Sequence, residues 1–317
     1  MDEFELIDRL VAILGDDARG PHVVLGPGDD AALIENPANC LAVASIDTLV
    51  AGVHFPPTAP ADLIGIRALG VSISDLAAMG AEPGYVMIAL TLPDDSAQWV
   101  EAFARGVAEA AHRYGVKVVG GNIARGPLNV TVSVHGWIER DAALTRAGAR
   151  AGDLVCVSGK LGGAASALNR PDLATPPPLA ALSSLAESDP RHSLRRYYLP
   201  EPRIALGRAL RGLASAAIDI SDGLVADLGH LCDASGVGAR IDLDAVPAAD
   251  GCTKALAATG GDDYELCFTI AARDRRRLDA LPSAVVVVGE MRAGTGVEIV
   301  ESGRVVTLPS GGFRHFR

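Results

Sequence analysis

The sequence predicts an α/β protein of two domains, and three observations carry that reading. A chain of 317 residues exceeds one ordinary domain and can supply a core for each of about two. Short apolar runs bounded by Gly, Pro and Asp alternate with stretches of helical spacing. The run RDAALTRAGARAG, at 140–152, interrupts that alternation with Arg, Ala and Gly, as an inter-domain connection does. The expected division is therefore an N-terminal domain at 1–139, a connection at 140–152 and a C-terminal domain at 153–317.

The elements of the first half follow in order. Phe4, Ile7, Leu10, Val11 and Leu14 recur at helical spacing before Gly15, so the chain opens on an amphipathic helix. In VVLGPGDDAALI, apolar runs flank a Gly-Pro-Gly turn that ends in Asp29 and Asp30. CLAVASIDTLV reads as a strand delivering Asp47 to its C-terminal end, and AGVHF continues to His54. Residues 61–79 are helical through Leu63, Ile66, Arg67, Leu69, Gly70 and Ile73, with Asp75 near the end. Strands are expected at 85–92, 116–119 and 130–138, and a helix at 96–114. GGNIARG, at 120–126, falls between the last two strands. Its glycine pair either lets a phosphate or base approach the backbone or makes a plain turn.

In the second half LVCVSG is a short buried strand, and KLGGAASAL is a Gly-rich turn into a helix whose free N–H groups can hold an anion. It is not a Walker A loop, because Leu154 stands where the first Gly belongs and Leu161 replaces the Ser/Thr. Residues 171–202, rich in Pro, Ser and Ala, read as a surface loop with one short helix. Residues 203–213 are helical, AAIDIS is a buried strand leading to Ser221 and Asp222, and 223–234 form the next helix. Asp222 is placed to cap that helix, which would leave Asp219 unexplained. ARIDLDAV is a strand and 250–258 a helix. TGGDDYELCFTI joins a Gly-Gly turn and two acids to a strand. A short helix at 274–281, the buried strand AVVVVGEM and a hairpin at 297–308 turning at Ser302-Gly303 complete the pattern. Phe313 and Phe316 in the tail are placed to cover a ring.

Composition narrows the function. A net charge of −11 argues against non-specific nucleic-acid binding, which relies on basic surface. Lys117, Lys160 and Lys254 are the only lysines among 28 basic residues, so arginine has to supply most phosphate contacts. The five cysteines are scattered singly without metal-ligand spacing, which suits reduced thiols in a cytoplasmic protein. MDEFELIDRL lacks the basic start of a signal peptide, and no apolar run approaches the roughly 18 residues that span a bilayer.

The chemistry lies in the acids. Asp29, Asp30, Asp47, Asp75, Asp219 and Asp222 each sit by an apolar run or in a Gly-rich turn, where side chains can converge on a ligand. Adjacent aspartates in a turn are more often solvated turn formers, and a lone His such as His54 is ordinarily structural. Asp75, however, lies in an Ala-, Ile- and Leu-rich helix, where a carboxylate is costly unless paired or metal-bound. Two like charges about 4 Å apart repel by roughly 4 kcal/mol at an effective dielectric near 20. Converging carboxylates therefore need cations, and hard oxygens without a Cys/His pattern select Mg²⁺, usually shared with phosphates.

GDDAAL at 28–33, DTLVAGVHF at 47–55, SDLAAMGAEP at 74–83, GGN at 120–122, LTRAGA at 144–149, DISDGL at 219–224 and GGDDYELCF at 260–268 occur in this order across nearly the whole chain. In that set the sequence resembles the thiamine-monophosphate kinases of the aminoimidazole-ribonucleotide-synthetase-like superfamily. The resemblance implies an N-terminal sheet that forms a barrel with a second subunit, and a C-terminal mixed sheet with helices that closes the cleft. It implies several Mg²⁺ ions on Asp30, Ser45, Ile46, Asp47, Asp75, Asn122, Asp219 and Asp222. It implies ATP on Gly121, Asn122, Arg146 and Ser221, and thiamine monophosphate on His54, Asp262 and Phe313. No covalent nucleophile or general base is expected, since phosphoryl transfer between phosphates asks mainly for alignment and charge neutralisation. Three positions depart from the family pattern. Asn122 replaces an acid, Ile46 replaces Thr before Asp47, and Asp262 is one methylene shorter than the usual Glu. These departures are expected to alter metal affinity more than to remove activity. The alternatives are another synthetase of the superfamily or a nucleotide-binding regulator without turnover. Selenophosphate synthetases carry a reactive Cys in the N-terminal segment and hydrogenase-maturation dehydratases one at the C-terminus, and this chain has neither.

Overall fold

The structure, a computed structural model, describes residues 3–309 and 312–313. Phe316 lies outside the described residues. Contacts group the chain into two units. The first takes residues up to 76, 82–140 and 171–184, and the second takes 77–81, 141–170 and 185 onward.

The first unit opens with α1 (Glu3–Leu14), as the periodicity requires, and a two-stranded antiparallel pair, β1 (Val23–Leu25) and β2 (Leu33–Ile34). There follow β3 (Cys40–Val50), α2 (Ala61–Ala78), β4 (Glu82–Leu92), α3 (Ala97–Tyr114), β5 (Lys117–Arg125) and β6 (Asn129–Glu139). The four longer strands form a sheet in the order β3-β6-β4-β5. Helix α2 is buried on nearly all sides, Leu63, Ile64, Ile66, Leu69, Ile73 and Leu76 being fully buried together with Arg67, Ser72 and Ser74, so it is a core helix and not a surface one. Helix α3 keeps the ordinary single apolar face. It is capped at its start by Ser96, which accepts from the Trp99 N–H, and ends on left-handed Gly115.

GGNIAR does not form a loop here. Strand β5 continues to Arg125, in parallel register with β4, and the connection shrinks to 126–128. Gly121 is required by that pairing, because a Cβ there would lie 2.0 Å from the Ile88 carbonyl oxygen. At this position the packing role of the glycine is established.

The second unit contains β7 (Asp153–Ser158) and α4 (Gly163–Ala167). The segment 171–202 holds two short helices where one was expected, α5 (Leu179–Ser183) and α6 (His192–Tyr198), the first in the part grouped with the first unit. The chain continues through α7 (Ile204–Ala209), β8 (Ala214–Asp219), α8 (Leu224–Ser235), β9 (Gly238–Asp242) and α9 (Lys254–Thr259). After β10 (Leu266–Ala271) and a 3₁₀ segment at Ala272–Ala280 come β11 (Val285–Arg292), β12 (Val297–Glu301) and β13 (Arg304–Val306). The sheet order is β13-β12-β9-β11-β7-β10-β8, mixed because β9 and β12 run parallel while the other pairs are antiparallel. Strict alternation splits its side chains between two cores. Val155, Val157, Ile218 and Cys267 pack with Leu224, Leu228 and Leu231 of α8, whereas Cys156, Ala217, Phe268 and Ile270 pack with Leu206 and Leu210. Strand β11 is less covered than its run of valines suggested, with Val285, Val286 and Val287 only half-buried at the margins of the two cores.

One buried charge anchors this unit. Glu265 is almost wholly buried just before β10. It accepts from Arg203 Nε at 2.6 Å, from Arg203 Nη2, from both terminal nitrogens of Arg196 at 3.2 Å, and from Ser158 Oγ at 2.6 Å. Burial alone would raise its pKa, but Arg203, Arg196 and Ser158 outweigh it and hold the carboxyl below the ordinary 4.5. Removing one partner of such a network leaves the others buried and uncompensated. Glu265→Ala is therefore expected to cost about 3–5 kcal/mol in urea unfolding. The depressed pKa gives the sign with pH: the stabilisation is complete above 4.5 and is lost as the pH falls through the lower folded value, a slope that the variant should lack.

Candidate functional site

In the first unit the strand period decides which groups meet. Ser45 and Asp47 lie on the face of β3 turned toward α2, and Ile46 lies on the opposite face, 64% exposed. Any contribution of Ile46 to a cation is thus limited to its backbone. Across from β3, α2 presents Ser72 and Asp75 one turn apart. Ser45 Oγ donates to Asp75 Oδ2 at 2.5 Å, and Ser72 Oγ, beside the Asp47 carboxylate, donates to the Ala68 carbonyl at 3.0 Å. Burial pushes the Asp47 pKa up to about 6, the Asp75 charge adds to the rise, and Ser72 opposes it. Two carboxylates and two hydroxyls in one half-buried group form a hard-oxygen donor set. Ser72 was not singled out from the sequence, although it lies three residues before Asp75 on the same helix face.

The other first-unit positions are more dispersed. Asp29 and Asp30 are exposed in the turn between β1 and β2, where the Asp30 N–H bonds the Asp29 carboxylate at 2.8 Å. That contact alone is what an ordinary turn shows. His54 is half-buried, and its Nδ1 accepts from the Val50 N–H at 3.0 Å, which leaves the proton on Nε2. Gly121 and Asn122 border an apolar crevice lined by Ile7, Leu10, Leu14 and Leu90.

In the second unit the 219–223 turn gathers residues distant in sequence. Asp219 ends β8 at 5% exposure, while Ser221 and Asp222 are half-buried. The Asp262 N–H donates to the Ser221 carbonyl at 2.8 Å, and the Phe313 N–H donates to the Asp222 carbonyl at 3.0 Å. Two predicted substrate contacts therefore hang on adjacent residues of one turn. Asp222 is not the cap of α8. The cap position is Gly223, at φ 120°, where a Cβ would come within 2.8 Å of Thr259. The capping work falls instead to Asp227, whose Oδ2 accepts the N–H groups of Ser221, Asp222 and Gly223, each at 3.0 Å. Burial pushes the Asp227 pKa up to about 7 against those donors, with the Asp222 charge adding to the rise.

Other acids missed from the sequence do similar work. Asp263 is buried, and its Oδ2 accepts the Gly162 N–H at 2.6 Å, so the helix start expected to hold an anion is filled by the protein's own carboxylate. Arg146 is exposed in a loop pinned by Ser235, which donates to the Arg146 carbonyl at 2.9 Å and accepts the Ala149 N–H at 3.2 Å. The available signal for Asp227 was an acid in the first helical turn, and for Asp263 and Glu265 an i, i+2 pair entering a strand. Among the described residues, no three His, Cys, Asp or Glu side chains form a group that would hold a metal ion unaided. Asp47 and Asp75 belong to the first unit, and Asp219 and Asp222 to the second.

Residues 28–138 match the AIR synthase related protein N-terminal domain, and 150–301 match the AIR synthase related protein C-terminal domain. The thiamine-monophosphate kinase of Salmonella typhimurium strain LT2 is 42% identical over 312 residues, spanning 93% of this chain and 92% of that protein. A crystal structure of thiamine-monophosphate kinase from Stenotrophomonas maltophilia K279a superposes with a TM-score of 0.81 at 40% identity, covering 96% of this chain and 98% of that one. AaThiL complexed with AMPPCP and TMP gives a TM-score of 0.75 at 32% identity, covering 99% and 97%.

Two outcomes test this geometry. Asp47 has a raised pKa, so its favourable contribution is present below 3.8 and lost as the pH climbs through about 6; without divalent cations, the melting temperature of Asp47→Asn relative to wild type should rise from pH 5 to pH 7. Asp227→Ala should cost at least about 1–3 kcal/mol in denaturant unfolding by orphaning buried N–H groups, and Asp227→Asn, which keeps an acceptor oxygen, should recover most of it.

Proposed function

The chain belongs to the thiamine-monophosphate kinases of the AIR synthase related family, and on that premise we propose that it transfers the γ-phosphoryl group of ATP directly to the phosphate of thiamine monophosphate. The activity is ATP-dependent phosphorylation of thiamine monophosphate to thiamine diphosphate. The observation that carries the mechanistic reading is the facing pair Asp47 and Asp75, flanked by Ser45 and Ser72 in a chain of this family.

That donor set fits Mg²⁺. It holds only oxygen ligands, and burial together with the Asp75 charge raises the Asp47 pKa, a cost that a divalent cation would relieve. Asp30, Ser45, Asp47, Asp75 and Asn122 in the first unit and Asp219 and Asp222 in the second are the proposed ligands, with Ile46 through its carbonyl. When bound, Mg²⁺ neutralises phosphate charge and aligns the two phosphate groups. Gly121 and Asn122, beside the apolar crevice, together with Arg146 and Ser221, are the proposed ATP contacts. His54, offering Nε2–H, Asp262 and Phe313 are the proposed contacts to thiamine monophosphate.

In the transfer, an oxygen of the acceptor phosphate forms a bond to the γ-phosphorus as the bond to the bridging oxygen of ADP breaks. The acceptor has a second pKa of about 6 and is mostly dianionic at neutral pH, so no side chain has to take a proton from it. The residues of the chain orient the two phosphates and exclude water.

A homodimer belongs to the same reading. Strand β3 is an 11-residue sheet edge, and Ile46, Ser133 and Met87 form a row across the outer face, with Ile46 64% and Met87 39% exposed. We take 1–139 as the ATP, Mg²⁺ and dimerisation domain, 140–152 as the connection and 153–317 as the closing domain. A cytoplasmic setting suits five free cysteines, three of them buried. Among the described residues, no helix is long and apolar enough to cross a membrane.

The test is an assay that reads thiamine diphosphate directly from ATP, Mg²⁺ and thiamine monophosphate. Chelation should abolish product and added Mg²⁺ restore it. Asp75→Ala and Asp222→Ala should each lower kcat by about a thousandfold or more with an unchanged circular dichroism spectrum. Near-normal turnover in either variant would remove that residue from the proposed site, and nucleotide binding without product would favour a regulator.

A further inference from the structure

Asp227 holds the turn that carries two of the proposed ligand contacts without being one of them. It stands in the first turn of α8 at 3% exposure, and its Oδ2 accepts the N–H groups of Ser221, Asp222 and Gly223 at 3.0 Å each. Three successive N–H groups converging on one acceptor fix the peptide planes of the whole turn. The carbonyls of the same turn are held as well, Ser221 by the Asp262 N–H at 2.8 Å and Asp222 by the Phe313 N–H at 3.0 Å. The packing around it is close: a Cβ on Gly261 would lie 2.5 Å from the Ser221 carbonyl oxygen, and one on Gly223 would lie 2.8 Å from Thr259. Asp222 is thus fixed through its backbone, its N–H on Asp227 and its carbonyl on Phe313. Helix capping does not account for this arrangement. An acid in the first turn that reaches back to cap its helix bonds the N–H of the cap residue, here Gly223. Asp227 continues two residues further, to Asp222 and Ser221, whose N–H groups are not among the free donors of the helix.

We propose that Asp227 is a positioning residue for phosphoryl transfer: by drawing the Ser221 and Asp222 N–H groups onto one oxygen, it sets Asp222 for Mg²⁺ and Ser221 for ATP, and with them the affinity for the metal-bound nucleotide. The inference rests on the reading of Asp222 as a Mg²⁺ ligand and of Ser221 as an ATP contact. A ligand residue that is free to rotate pays an ordering cost each time the metal binds. A group that orients it beforehand, without touching the metal, commonly governs metal affinity or activity by about 10–100-fold. Asp227 is built for that task, being buried, five positions from the residue it orients, and joined to it through the backbone.

The experiment measures, by isothermal titration calorimetry, the binding of Mn²⁺ with a non-hydrolysable ATP analogue, and separately KM for ATP in the thiamine diphosphate assay. Both are read well below the melting temperature of each variant. Asp227→Ala is expected to weaken Mn²⁺–nucleotide binding about tenfold or more and to raise KM for ATP by a similar factor. Asp227→Asn offers the same N–H groups a neutral oxygen, which holds them less strongly, and should weaken binding only about threefold. Leu231→Ala is the control: it opens a cavity in the core beneath the same helix, and should lower the melting temperature while leaving Mn²⁺–nucleotide binding and KM unchanged. Wild-type affinity in Asp227→Ala, or an equal loss of affinity in Leu231→Ala, would overturn the proposal while leaving the kinase activity standing. Wild-type affinity in Asp227→Asn would overturn it too, even where Asp227→Ala does not fold. A wild-type chain that neither binds the Mn²⁺–nucleotide nor forms thiamine diphosphate would overturn it together with the reading it rests on.

Discussion

The burial of the Asp47 carboxylate beside that of Asp75 is the constraint around which the first unit is arranged. Strand β3 must turn Asp47 inward, which by strand alternation turns Ile46 outward. Helix α2, otherwise a core helix, must carry Ser72 and Asp75 on the single face that meets the strand. Burial, with the Asp75 charge adding to it, pushes the Asp47 carboxyl up to about 6 from its ordinary 3.8, and the Ser45 hydroxyl is spent on Asp75. Such a group costs stability in the fold, and under the proposed function a divalent cation would offset that cost, as at sites built for a ligand and not for the fold.

The second unit handles buried charge differently. Asp227, Asp263 and Glu265 are all buried, and each spends its carboxylate on holding the chain: on three consecutive N–H groups, on the start of α4, and on a pair of guanidinium groups. These groups surround the 219–223 turn, whose carbonyls in turn receive Asp262 and Phe313. The half-buried residues that face outward, Asp222, Asp262 and Tyr264, are thereby fixed by neighbours one to five positions away that never face outward themselves. Preorganisation of this kind leaves little reorganisation for the moment a charged ligand arrives.

Much of this was legible in the chain. The opening helix, the strand carrying Asp47, the helix carrying Asp75 and the hairpin at Ser302-Gly303 follow from apolar period and turn residues, and the structure has them. The glycine pair at 120–121 was open to two readings from the sequence, a backbone approach to a phosphate or a plain turn; the structure puts it in a strand, and the nearness of the Ile88 carbonyl gives Gly121 a packing role as well. Asp222 was weighed as a helix cap beside its ligand role, and the capping belongs to Asp227, because both acids lie within reach of the helix start and sequence spacing does not say which carboxylate turns back. Glu265 and Asp263 were passed over as strand-entry residues, since nothing local marks an arginine some sixty or seventy positions upstream as their partner.

By itself the sequence determined the alternation of strands and helices, the inventory of acids and, through the ordered motifs from GDDAAL to GGDDYELCF, the family. These are properties of spacing and residue type, which survive being read along a line. Only the tertiary structure decided which acid faces a hydroxyl, which a guanidinium and which a backbone N–H, as Asp262 and Asp263 illustrate at adjacent positions. The physical reason is that a carboxylate's role depends on its dielectric surroundings and its partners, and both are supplied by segments far away in the chain.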